Sequence, residues 1–126
     1  MTDHRTRNHL VTTTEAGVVI VHCPGDLDLA TSPRMRDALL TPLGEGARGV
    51  IADLTETTYC DSTVFSVLVE AYRASLAHDV PFTIAAAHAT VARPLAILGL
   101  DRVLPIRPTV AEAREAVTGT PVTKVS

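Results

Sequence analysis

Val50-Ile51-Ala52-Asp53-Leu54-Thr55-Glu56-Thr57-Thr58-Tyr59-Cys60-Asp61-Ser62-Thr63-Val64-Phe65-Ser66-Val67-Leu68-Val69-Glu70-Ala71-Tyr72-Arg73-Ala74-Ser75-Leu76 is the stretch on which the fold turns. Val50 to Asp53 is a short apolar run ending on a carboxylate, the pattern of a buried strand. Thr55 to Thr58 is a polar loop. After Tyr59 and Cys60 the period changes. Phe65, Leu68, Val69, Tyr72 and Leu76 recur at i, i+3, i+4, i+7 and i+11, which predicts a helix with one apolar face. Asp61 or Ser62 stands where an N-cap belongs. A charge on Ser62 would face free backbone N–H groups and the positive end of a helix dipole.

Working outward, strands and helices alternate. Leu10 to Thr14 reads as a short strand, Glu15-Ala16-Gly17 as a tight turn, and Val18 to Cys23 as the strand it returns into. Pro24-Gly25 ends that strand. Thr31-Ser32-Pro33 reads as a helix start, with a hydroxyl N-cap and proline at the first helical position. Met35, Ala38 and Leu39 mark its inward face, and Pro42, Gly44 and Gly46 its stop. The Ser62 helix should reach about His78. Pro81 to Ala86 reads as a strand, and Val91 to Leu98 as a short helix with Pro94 in its first turn. Gly99 is placed for a left-handed C-terminal cap. Val103 to Ile106 reads as a last strand, at an edge or with a frayed end because of Pro105. Thr109 caps a final helix, Val110 to Val117.

This order predicts one α/β domain: a mixed, mainly parallel sheet with an N-terminal hairpin and about four helices. The expected organisation is a flexible leader over 1–8, the domain over 9–118, and a flexible tail over 119–126.

Composition narrows the function. The chain has 126 residues, 46% hydrophobic but only 3% aromatic, with no tryptophan, so aliphatic side chains must fill the core. A net charge of −3 offers no basic footprint, which argues against nucleic acid and anionic lipid as partners. No apolar run approaches the ~18 residues of a membrane span. The polar, charged start, Met1 to Asn8, lacks the apolar core of a secretion signal. A cytoplasmic protein is expected, with no membrane association. Cys23 and Cys60 have neither CxxC nor paired spacing and are expected as reduced core residues.

Catalytic patterns are weak. In open α/β sheets the working surface lies where strands end and helices begin. Asp26, Asp28, Asp53, Asp61 and Ser62 all fall at such junctions, so they are candidates to share one edge. Four such Asp are more often caps and turn residues than an acid–base pair. Neither G-x-S-x-G, a glycine-rich phosphate loop nor a metal-ligand spacing is present, so no cofactor and no metal is expected. A receiver-type phosphoacceptor at Asp53 would need a lysine on a late strand, and the chain's one lysine is Lys124, in the tail.

Three motifs in order carry a resemblance: Gly25-Asp26-Leu27-Asp28 after a strand, Val50-Ile51-Ala52-Asp53-Leu54-Thr55, and Asp61-Ser62-Thr63 opening a helix. With the late segment Leu98-Gly99-Leu100-Asp101-Arg102-Val103-Leu104, the chain resembles the STAS domain over about residues 8 to 118. It is most similar to the stand-alone bacterial anti-sigma-factor antagonists. The resemblance implies a non-enzymatic protein-binding switch. Ser62 would be phosphorylated by an anti-sigma-factor serine kinase, which binds the unphosphorylated form and releases the phosphorylated one. A serine phosphatase would reset it. Asp28 and Asp61 match the acids near the phosphorylation site. Asp28, Asp61, Thr63, Val64 and Phe65 are the expected partner-binding residues, with Val64 or Phe65 supplying exposed apolar surface. A weak homodimer is compatible with this reading. Where family members often carry Gly-Leu-Gly, this chain has Val64, Phe65 and Ser66, which keeps a second reading open: an unphosphorylated STAS scaffold or pseudo-antagonist subunit of a larger complex.

Overall fold

Residues 9–119 are described in the computed structural model. The expected leader, and the expected tail beyond Gly119, lie outside them. β1 (Val11–Glu15) and β2 (Val18–His22) form the expected hairpin, with Glu15 opposite Val18. Ala16 and Gly17 fill the two-residue turn with φ of 54° and 85°. Two consecutive positive φ values match the right-handed twist of the strands, and glycine adopts one at no steric cost.

Beyond the hairpin the chain runs through β3 (Asp26–Leu27), α1 (Ser32–Gly44), β4 (Gly49–Asp53), β5 (Tyr59–Cys60) and α2 (Ser62–His78). It continues through β6 (Phe82–Ala85), α3 (Ala89–Ile97), a 3-10 turn (Leu100–Arg102), β7 (Ile106–Arg107) and α4 (Val110–Thr118). The main sheet has the order β1-β2-β4-β6-β7, parallel everywhere except at the hairpin, and β3 pairs with β5 in a separate parallel ribbon. Every residue of β4 is buried, because helices cover both faces of this central strand.

The larger core lies between the sheet and α1, α2 and α3. Val21, Val50, Ala52 and Ile84 meet Met35, Leu39, Leu43, Leu68, Val91 and Leu95 there. A smaller core on the other face joins Val18, Ile20, Ile51 and Ala85 to Ala113 and Val117 of α4. A Cβ on Gly49 would lie 2.8 Å from Val117 Cβ, so glycine is what lets α4 seat this closely. Among the described residues, no helix is long and apolar enough to cross a membrane.

Several local expectations change. Thr31 precedes α1, but its hydroxyl makes no cap bond to the helix and turns to Asp28 instead. Pro42 does not stop α1. It sits inside the last turn, and the helix ends at Gly44. α3 starts at Ala89, two residues early, so Pro94 falls past its first turn. Gly99 has the expected left-handed conformation at φ 76°, its N–H donating to the Ala96 carbonyl. The last strand is Ile106–Arg107 rather than Val103 to Ile106, because residues 100–102 coil into the 3-10 turn. It is an edge strand, and Pro105 lies just before it rather than within it. Thr109 caps α4 by accepting from the Glu112 N–H.

The buried face of α2 is rotated from the expected one. Val64, Phe65, Val67, Leu68, Ala71 and Ser75 are buried, while Leu76 is 65% exposed. The sheet lies to the side of the predicted stripe, and α2 turns Val64 and Ala71 toward it.

Candidate functional site

The β3–β5 ribbon builds the site. Leu27 pairs with Cys60, and the Asp61 N–H donates to the Leu27 carbonyl at 2.8 Å. The next residues on each strand, Asp28 and Asp61, therefore leave the ribbon side by side. Asp61 immediately precedes α2 and Asp28 lies four residues before the first residue of α1, so two helix starts lie close to one corner.

Asp61 is the N-cap of α2. Its Oδ1 accepts from the Thr63 N–H at 3.0 Å and lies 3.2 Å from the Thr63 hydroxyl, and its carbonyl accepts from the Val64 N–H. Of the first three amides of α2, that leaves Ser62's for an incoming anion. Ser62 itself is the first helical residue. It is exposed, and its hydroxyl makes no hydrogen bond among the described residues. The setting suits an added phosphate, since one amide and the positive end of the helix dipole remain available.

Asp28 organises the other helix start. Its Oδ1 accepts from the Ala30 N–H at 3.0 Å and the Thr31 N–H at 3.1 Å, while its own N–H donates to Thr31 Oγ1 at 2.9 Å. The Thr31 hydroxyl, 3.1 Å from Asp28 Oδ1, and then these amides hold the Asp28 carboxyl below the usual carboxylate range. A lowered folded-state pKa contributes stability above the unfolded-state value and loses it as pH falls through the folded-state value. Thr31→Ala is thus expected to raise the Asp28 pKa toward the ordinary ~3.9 and to move acid unfolding to higher pH. NMR titration of the carboxyl carbon checks the first effect and an acid-unfolding curve the second.

The expected exposed apolar contacts need correction. Val64 is 0% exposed and Phe65 7%, both inside the main core, because the sheet-facing side of α2 begins at its first turn. The exposed apolar side chains at this corner are Leu29, which follows Asp28, and Tyr59, which sits opposite the exposed Asp26 in the ribbon register. Thr63 is half-buried and committed to Asp61.

Asp53 leaves the expected carboxylate group. It is buried, and strand alternation turns it to the face that α4 covers. There its Oδ2 lies 2.8 Å from His22 Nδ1, and His22 Nε2 lies 3.0 Å from the Thr13 hydroxyl. Asp53 Oδ1 accepts from the Thr55 N–H at 3.0 Å and the Thr55 hydroxyl at 2.6 Å. With His22 donating from Nδ1 and accepting at Nε2, this chain ties β1, β2, β4 and the following loop together. Thr57 completes the clamp by donating to the Pro24 carbonyl at 2.8 Å. The loop that delivers Ser62 is thereby fixed to the sheet. The sequence placed His22 on a strand, but only the His22–Asp53 register brings the pair together.

Both thiols are poor nucleophiles. Burial pushes Cys60 up to about 12 and Cys23 higher still. Among the described residues, no cluster of three or more His, Cys, Asp or Glu is arranged to hold a metal ion.

The sequence matches one family profile, that of the STAS domain, over residues 9–113. No curated protein is similar enough in sequence to match. Among solved structures, an anti-sigma factor antagonist from Mycobacterium paratuberculosis is similar at 25% identity and a TM-score of 0.79, over 86% of this chain and 92% of that one. The anti-sigma factor antagonist SpoIIAA in its unphosphorylated form aligns at 19% identity and a TM-score of 0.75, over 90% and 99% of the two chains. The Bacillus cell fate determinant SpoIIAA in its phosphorylated form aligns at 18% identity and a TM-score of 0.68, over 86% and 99%. The last two comparisons show a shared fold.

Proposed function

The chain belongs to the STAS domain family, and from that premise we propose that it is an anti-sigma-factor antagonist whose partner binding is switched at Ser62. The unphosphorylated protein binds an anti-sigma-factor serine kinase; phosphorylation of Ser62 releases it, and a serine phosphatase restores the binding form. The observation that carries this reading is the Ser62 hydroxyl, exposed and without a hydrogen-bond partner among the described residues, at a corner where two helices begin. The protein acts as a binding switch in the cytoplasm, not as an enzyme.

Charge explains the switch without a change of fold. Phosphoserine adds about −1.5 to −2 units of charge. It stands beside Asp28 and Asp61, and a bound kinase brings its nucleotide phosphates to the same point. Like-charge juxtaposition at an interface costs roughly several kcal/mol. The partner-binding face comprises Asp28 and Asp61 at its acidic centre and Leu29 and Tyr59 as its apolar part, with Thr63 orienting Asp61. Val64 and Phe65 act from beneath by fixing the start of α2.

Incubation with the host's anti-sigma-factor kinases and ATP, followed by phosphosite mapping, tests the reading. Phosphate on Ser62 is the expected result. The departure from Gly-Leu-Gly at Val64, Phe65 and Ser66 favours a second reading, a STAS scaffold or pseudo-antagonist subunit. Stable association with a larger complex and no phosphate on Ser62 would establish that instead.

A further inference from the structure

We propose that the docking face extends along the exposed stripe of α2 to Arg73, and that Arg73 selects a partner surface carrying a carboxylate beside an apolar side chain. The inference rests on the antagonist reading and specifies the partner's chemistry.

Ser62, Ser66, Val69 and Arg73 are spaced at i, i+4, i+7 and i+11, so they share one side of α2. At a rise of ~1.5 Å per residue, Arg73 lies about 16 Å along the axis from Ser62. A partner burying roughly 800 Å² around Ser62 would reach about that far. Beside the stripe runs an open groove of about 570 Å³, lined by Phe65, Ser66, Val69, Glu70, Arg73 and Leu100. The neighbouring corner exposes Ile97, Leu98 and Val103.

The charges in the groove are not equivalent. Arg36 of α1 grips Glu70 with two hydrogen bonds, Nε to Oε1 at 2.8 Å and Nη2 to Oε2 at 2.6 Å. That grip lowers the Glu70 pKa and raises that of Arg36, so both stay ionised and neutralise each other. Arg73 is exposed and makes no ion pair among the described residues. The groove therefore presents one uncompensated cation above an apolar floor of Val69, Leu100 and the edge of Phe65. The complementary occupant is an acidic side chain next to an aliphatic one. With Asp28 and Asp61 at the other end, the face is dipolar along α2, and a dipolar partner docks on it in one orientation.

The test measures affinity of the host's purified anti-sigma-factor kinases for four forms: wild type, Ser62→Asp, Arg73→Ala and Arg73→Glu, at low and high salt. Arg73→Glu should bind about tenfold more weakly at low salt, with the deficit shrinking at high salt, and Arg73→Ala should fall between. Thermal melts should be unchanged, because Arg73 is exposed. If Arg73→Glu binds like wild type while Ser62→Asp does not bind, the groove inference falls and the switch stands. If no kinase binds wild type, or Ser62→Asp has no effect, the switch falls and this inference with it. Sedimentation covers the remaining occupant: self-association abolished by Arg73→Glu would assign the groove to a second copy and overturn the proposal.

Discussion

Ser62→Asp is expected to weaken kinase binding roughly a hundredfold, because each 1.4 kcal/mol is about tenfold and one added charge at a desolvated interface costs about twice that. Ser62→Ala should bind within about threefold of wild type, since it removes only a hydroxyl with no partner among the described residues. The pair is informative because neither change should harm the fold. Asp61, not Ser62, caps α2. An aspartate at the first helical position is favoured by the dipole, by about 0.3–1 kcal/mol. Calorimetric titration with the kinase reads both affinities, and a thermal melt of each variant confirms the fold. Equal affinity of Ser62→Asp and wild type would refute the charge switch. A loss in Ser62→Ala as large as in Ser62→Asp would assign the serine a direct contact instead.

The position of Ser62 was legible in the sequence because three local signals coincide there. A carboxylate precedes it, an apolar helical period follows, and a buried strand lies a short loop upstream. β4 was equally legible, since a run of aliphatic residues ending on Asp53 has few other uses. What could not be read was anything that depends on pairing. Leu27 and Cys60 are far apart in sequence, so the ribbon that places Asp28 beside Asp61 appears only in the register. The same holds for His22 and Asp53. Within α2 the difficulty was ambiguity. Val64 to Val69 offers an apolar side chain at every position but Ser66, so the period admits more than one buried face. Packing chose the one centred on Val64, Leu68, Ala71 and Ser75. Leu29 and Tyr59 were missed for the opposite reason: isolated apolar residues in short segments carry no period.

Val64→Gly, which installs the glycine that the family resemblance leads one to expect here, is expected to destabilise the protein by about 3 kcal/mol: roughly 2 kcal/mol from a lost buried side chain and up to about 1 from glycine in a helix. Val64 is fully buried, in the first turn of α2, in the main core with Leu68 and Leu27. Its side chain thus points away from the surface that the proposed kinase would approach. The consequence distinguishes two accounts of this departure from the family pattern. If valine crowds the phosphorylation site, Val64→Gly should be phosphorylated much faster than wild type. If valine is core, as its burial states, the phosphorylation rate below the melting temperature should stay within a few fold while urea unfolding shifts to lower concentration. Val64→Ala separates the contributions, keeping the helix propensity and losing part of the burial, about 1–2 kcal/mol. A faster rate in Val64→Gly without loss of stability would mean that valine shields the serine. The side chain then belongs to the docking surface after all, and the geometry of the first turn of α2 must differ in the kinase complex.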